Sequence, residues 1–93
     1  MIIVAKHTLI PEHKEEFMTL VEEIVAKSRQ EEGNVFYIHS QSVENENEYV
    51  FTECWKDQEA IDTHMATEHF TRIAKRLMEI TSSFTVEVYK ETL

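Results

Sequence analysis

Cysteine, glycine and proline each occur once in these 93 residues, and basic residues number 9 against 18 acidic ones. The lone cysteine, Cys54, cannot close an internal disulfide, which points to a reducing, cytoplasmic setting. A net charge of −9 repels phosphate backbones and anionic lipid, so nucleic acid and membrane surfaces are set aside as partners. No apolar run approaches the roughly 20 residues a membrane span needs, and the opening MIIVAKH is too short for a signal sequence. With so little Gly and Pro and no polar low-complexity tract, the composition excludes a linker or disordered tail. What remains is a chain 42% hydrophobic, with the length of one small domain over residues 1–93. A monomer of that size buries a modest core, and a second copy is the natural supplement.

Periodicity divides the chain into elements. Residues 2–9, IIVAKHTL, are aliphatic and β-branched and stop before Pro11, as a strand leading into a helix start does. Phe17, Leu20, Val21, Ile24 and Val25 then recur at the spacing of one buried helix face, with Glu12, Glu15 and Glu16 in the first turns and Gly33 placed to end the helix. Two strands, NVFYIHSQSV and YVFTECW, flank the polar turn ENENE and form a hairpin. Asp57 is a cap for a short helix carrying Ile61 and Met65. MAT reads as a break, and Thr67 caps a second helix with Phe70, Ile73, Ala74 and Leu77 on one face. After the polar TSS, FTVEVYK alternates as a last strand. The order βαββαβ is the ferredoxin-like split βαβ arrangement, an α+β fold with helices on one face of a four-stranded antiparallel sheet. The uncovered face is not strongly polar, so a partner sheet is expected to cover it.

The residues with chemical potential cluster in FTECWKDQEAIDTHMATEHF, Phe51 to Phe70. His64 and His69 are five apart, roughly 140° round a continuous helix, whereas helical zinc pairs use i, i+4. A break at Ala66–Thr67 is what could rescue that geometry. With one Cys and no HxH, HExxH or CxxC spacing, a metal is not expected. Cys54, mid-strand beside acids, reads as a small half-buried hydrophobe. His64 shares a face with Ile61 and Met65 and should look inward. Glu53 shares a strand face with Phe51 and Trp55, where a carboxylate must find a partner or stay neutral. A histidine partner would give an oriented base; Lys6 on a neighbouring strand, or water, is the competing partner. Tyr37, Phe51, Trp55 and Phe70 can line a flat apolar pocket between sheet and helices, with His7 and His39 as further candidates on strands.

The run from Glu53 and Trp55 through Asp57, Ala60 and His64 to Thr67, His69 and Phe70 resembles the antibiotic biosynthesis monooxygenase family, which includes quinol monooxygenase-like proteins. Pro11, Phe17, Gly33 and Tyr37 extend the resemblance over nearly the whole chain. It implies a homodimeric α+β barrel and oxygenation of a small quinol or phenolic aromatic by O2 without metal or flavin. It also implies His64 and Glu53 as catalytic acid and base. Trp55, Phe51, Tyr37, His39, Met65, His69 and Phe70 follow as substrate contacts. Haem-degrading relatives carry an Asn, a Trp and an axial His at the places that correspond here to His7, His64 and Ala74, so that branch is disfavoured. The alternatives are an isomerase or lyase acting on a small hydroxyketone or sugar-derived metabolite, and a non-catalytic dimeric ligand-binding module.

Overall fold

A computed structural model describes every residue from Met1 to Leu93. Strand β1 (Ile2–Leu9) leads through a 3-10 turn at Pro11–His13 into helix α1 (Lys14–Arg29). Strands β2 (Asn34–Gln41) and β3 (Glu48–Trp55) form the hairpin. Helices α2 (Gln58–Met65) and α3 (Glu68–Glu79) follow, and β4 (Thr81–Tyr89) closes the sheet. The strand order is β2-β3-β1-β4 with every neighbouring pair antiparallel, which is the ferredoxin-like topology.

Side-chain parity decides which sheet face is covered. On β1, Ile3, Ala5, His7 and Leu9 are buried, and on β3 Tyr49, Phe51, Glu53 and Trp55 are buried, while the residues between them are not. Register places Glu53 opposite Ile3 and Tyr37, and Phe51 opposite Ala5 and His39, so these side chains share the helix-covered face. Lys6 is on the other face, and it therefore cannot be the partner of Glu53. Phe17, Val21 and Ile24 of α1 and Ile73 and Leu77 of α3 fill the layer between. Each such side chain, removed fully from water, contributes roughly 1.5–3 kcal/mol.

The helix boundaries match their caps. Asp57 Oδ1 accepts from the Ala60 N–H at 2.9 Å, and Thr67 Oγ1 accepts from the Phe70 N–H at 3.2 Å. Two expectations are corrected. The polar TSS lies within β4, because Thr81 pairs with Leu9 and its hydroxyl donates to the Leu77 carbonyl at 2.8 Å, joining strand to helix end directly. Gly33 does not end α1 with a left-handed residue: the helix stops at Arg29, and no glycine has positive φ. Gly33 is instead needed for close approach. A Cβ there would fall inside van der Waals contact of the Ala60 methyl and 3.3 Å from Ala60 Cα. The turn after α1 thus lies directly against α2.

Candidate active site

That contact brings Glu31, in the turn, beside the end of α2. His64 is 1% exposed, and its Nδ1 lies 2.6 Å from Glu31 Oε2. An ionised carboxylate only accepts, so Nδ1 carries the ring proton and Nε2 holds the lone pair. Nε2 is buried and without a partner. His69 Nε2 lies 2.9 Å from the same Glu31 oxygen, so two imidazoles fix one carboxylate. Burial lowers the His64 pKa, and the hydrogen bond and charge of Glu31 oppose that shift.

His64 faces a cavity of about 340 Å³ between the sheet and α2 and α3. Fourteen of its sixteen lining residues are hydrophobic, which makes it a place for an apolar guest. The polar exceptions are Glu53 and His64. Burial pushes the Glu53 carboxyl up to about 7, a shift that the Trp55 hydrogen bond limits and the Glu31 charge increases. The Trp55 indole N–H donates to Glu53 Oε1 at 2.9 Å, while its rings pack 4.4 Å from the His64 ring between centroids. Tyr37 is also pushed up, first by burial and then by the Glu53 charge. Met65, Met78, Val86 and Val88 line the cavity while each is at least half exposed, which marks its mouth.

Of the nine residues singled out from the sequence, His64, Glu53, Tyr37, Phe51, Met65 and Phe70 line this cavity. Trp55, His69 and His39 do not. Trp55 is buried behind His64 and couples it to Glu53. His69, opening α3, points to Glu31. His39 shares the inner sheet face but lies under Phe17, with its Nε2 2.9 Å from His7 Nε2. His7 in turn donates Nδ1–H to the Ala5 carbonyl at 3.0 Å, and burial lowers the two histidines to about 4 and about 3. The partner of Glu53 is neither a histidine nor Lys6 but Trp55, and the acid bound to His64 is Glu31. Nothing in the sequence separates Glu31 from its neighbour Glu32; only the packing of Gly33 on Ala60 does.

One nitrogen each of His64 and His69 and one oxygen of Glu31 lie within 4.8 Å of one another, so this trio is also where a cation could be held. The i, i+5 spacing is no obstacle, because the chain breaks between α2 and α3 and Thr67 Oγ1 donates to the His64 carbonyl at 2.7 Å.

The sequence model of the antibiotic biosynthesis monooxygenases matches residues 1–76. Over 73 residues the chain is 38% identical to YcnE of Bacillus subtilis (strain 168), named provisionally as a monooxygenase, covering 78% of this chain and 77% of that one. Among solved structures, a conserved protein of Methanosarcina mazei Go1 superposes with a TM-score of 0.93 at 30% identity, over 98% of this chain and 91% of that one. A protein described as an antibiotic biosynthesis monooxygenase superposes with a TM-score of 0.92 at 30% identity, over the full length of both chains.

Proposed function

The chain belongs to the antibiotic biosynthesis monooxygenase family, and on that premise we propose that it oxidises a small quinol or phenolic aromatic with O2, without a cofactor, as a cytoplasmic homodimer. The observation that carries this reading is that His64 lines an apolar cavity with its Nε2 buried and unpartnered and the opposite nitrogen held by Glu31. A base so arranged has its tautomer fixed before substrate arrives.

In this reading a quinol hydroxyl gives its proton to Nε2, and the Glu31 carboxylate stabilises the imidazolium. The quinolate passes one electron to O2; the resulting superoxide and aryloxyl radical combine at a ring carbon, and the imidazolium protonates that peroxide to a hydroperoxide, which restores neutral His64. Loss of water from that hydroperoxide completes the sum, quinol plus O2 giving hydroxyquinone plus water. Glu53, its carboxyl pushed up to about 7, supplies the proton that lets the distal oxygen leave as water, and its carboxylate takes up the proton that the same ring carbon loses. Tyr37, Phe51 and Phe70 hold the ring, and the apolar walls keep bulk water from the radical pair. The apolar lining argues against a hydroxyketone or sugar-derived substrate.

Dimerisation is assigned to the uncovered sheet face. Strand parity puts Ile2, Val4, Ile38 and Val50 there, and Ile38 is 44% exposed in the monomer. The test of the activity is incubation of the protein with a panel of hydroquinones under O2, with His64→Ala as control. Protein-dependent O2 uptake and quinone formation are expected; none on any substrate, or turnover of a hydroxyketone without O2, would contradict the reading.

A further inference from the structure

We propose that Glu31, His64 and His69 form a binding site for one divalent first-row metal ion of the zinc and cobalt type. The inference rests on their placement alone and needs nothing of the activity proposed above. Three ligand atoms, two imidazole nitrogens and one carboxylate oxygen, lie within 4.8 Å of one another. They come from three different elements, the turn after α1, the last turn of α2 and the first turn of α3, so the packing of those elements preforms the site. Two imidazoles and a carboxylate suit borderline divalent ions, whereas Mg2+ and Ca2+ favour oxygen-only sets.

A second observation points the same way. Glu31 Oε1 is buried with no partner, which leaves a spare ligand atom at the cluster. The other oxygen occupies the centre, 2.6 and 2.9 Å from the two nitrogens. Rotation of the carboxylate opens that centre to an ion at bonding distances of about 2.0–2.2 Å. An imidazole that binds the ion through the nitrogen facing Glu31 carries its proton on the other nitrogen. A route in exists as well: Glu31 lines an open groove of about 440 Å³ with Glu32, Asp57 and Glu59, where Lys56 is the only cation. That field draws divalent ions toward the site.

Occupancy has a consequence for His64. With Nδ1 on the metal, the remaining ring proton sits on Nε2, and the Nε2 lone pair is gone. Metal binding and a base at His64 exclude one another, so the ion would act as an inhibitor of any chemistry that uses that base.

The test is a titration of EDTA-stripped full-length protein with Co2+ and Zn2+, read by Co2+ d–d absorption and by the rise in thermal midpoint that a ligand of the native state produces. One equivalent is expected to bind. His69→Ala and the near-isosteric Glu31→Gln should each weaken binding by more than about 100-fold, beyond what loss of an outer-shell partner costs. His13→Ala, on the exposed start of α1, should leave it unchanged. Circular dichroism of each variant separates loss of site from loss of fold, and Glu31→Gln carries the test if His69→Ala does not fold. Absence of both signals at millimolar metal, several weak equivalents, or full binding by folded His69→Ala and Glu31→Gln variants would each overturn the proposal. None of these readouts involves a quinol, so a failed oxygenation assay leaves this result standing, and the reverse holds too.

Discussion

Substituting Gly33 by alanine tests how the site is assembled. The added methyl would overlap Ala60 Cβ and lie 3.3 Å from Ala60 Cα, so the turn or α2 must shift. Overpacking of this kind costs about 1–3 kcal/mol. Because Gly33 has no positive φ, alanine suits its backbone, and the stiffer unfolded chain returns about 0.4–1 kcal/mol. The net loss expected is about 1–2 kcal/mol. Ala60→Gly alone should cost about 1 kcal/mol of helix propensity. In the double variant the methyl has changed sides of the same contact, so most of the overlap is relieved. Its stability should exceed the sum of the singles by about 1–2 kcal/mol, a coupling typical of touching residues. Urea denaturation of the four proteins measures this cycle. Gly33→Ala should also draw Glu31 off His64, and Ala60→Gly should not. A Gly33→Ala variant as stable as the parent, or strict additivity of the two changes, would refute the close-approach argument.

Other outcomes follow from the buried titratable groups. His7 and His39 have folded pKa values of about 4 and about 3 against about 6.5 when unfolded, so the unfolded chain takes up protons first. Their contribution is intact above pH 6.5 and is lost as pH falls toward 4, by roughly 3 kcal/mol for His7; His7→Phe should flatten that limb of the stability curve measured by urea denaturation. Glu53 has the opposite sign: its folded value of about 7 lies above the unfolded 4.5, so stability falls as pH rises from 4.5 through 7. Glu53→Gln, which keeps an acceptor for the Trp55 N–H, should therefore stabilise the protein at pH 8 by up to roughly 3 kcal/mol while reducing quinol turnover. Trp55→Ala should cost about 3–5 kcal/mol in denaturation, because it empties a 1% exposed site and strips Glu53 of its donor.

Much of the fold could be read from local chemistry. Asp57 and Thr67 announce their helices, the Phe17 to Val25 spacing fixes a buried face, and β3 parity places Phe51, Glu53 and Trp55 together. Those signals are carried by residues a few positions apart. The site's assembly is not. Glu31 becomes the partner of His64 across 33 residues of chain, through a turn whose position depends on two small residues touching. The His64–His69 pair likewise looked mismatched only on the assumption of one continuous helix, and a single capped break at Thr67 reverses the geometry. His39 shows the limit of parity: it gives the correct face but not the neighbour across the sheet, and here that neighbour is His7 on β1.

The central claim is that His64 is a base held ready by Glu31. Its most direct measurement is the rate of O2 consumption with a hydroquinone substrate by the parent, His64→Ala and Glu31→Gln proteins in EDTA-treated buffer. The parent should consume O2 with quinone formation, His64→Ala should fall by about 10²–10⁴-fold, and Glu31→Gln should fall by less, with both variants folded. O2 uptake undiminished in His64→Ala would contradict the claim.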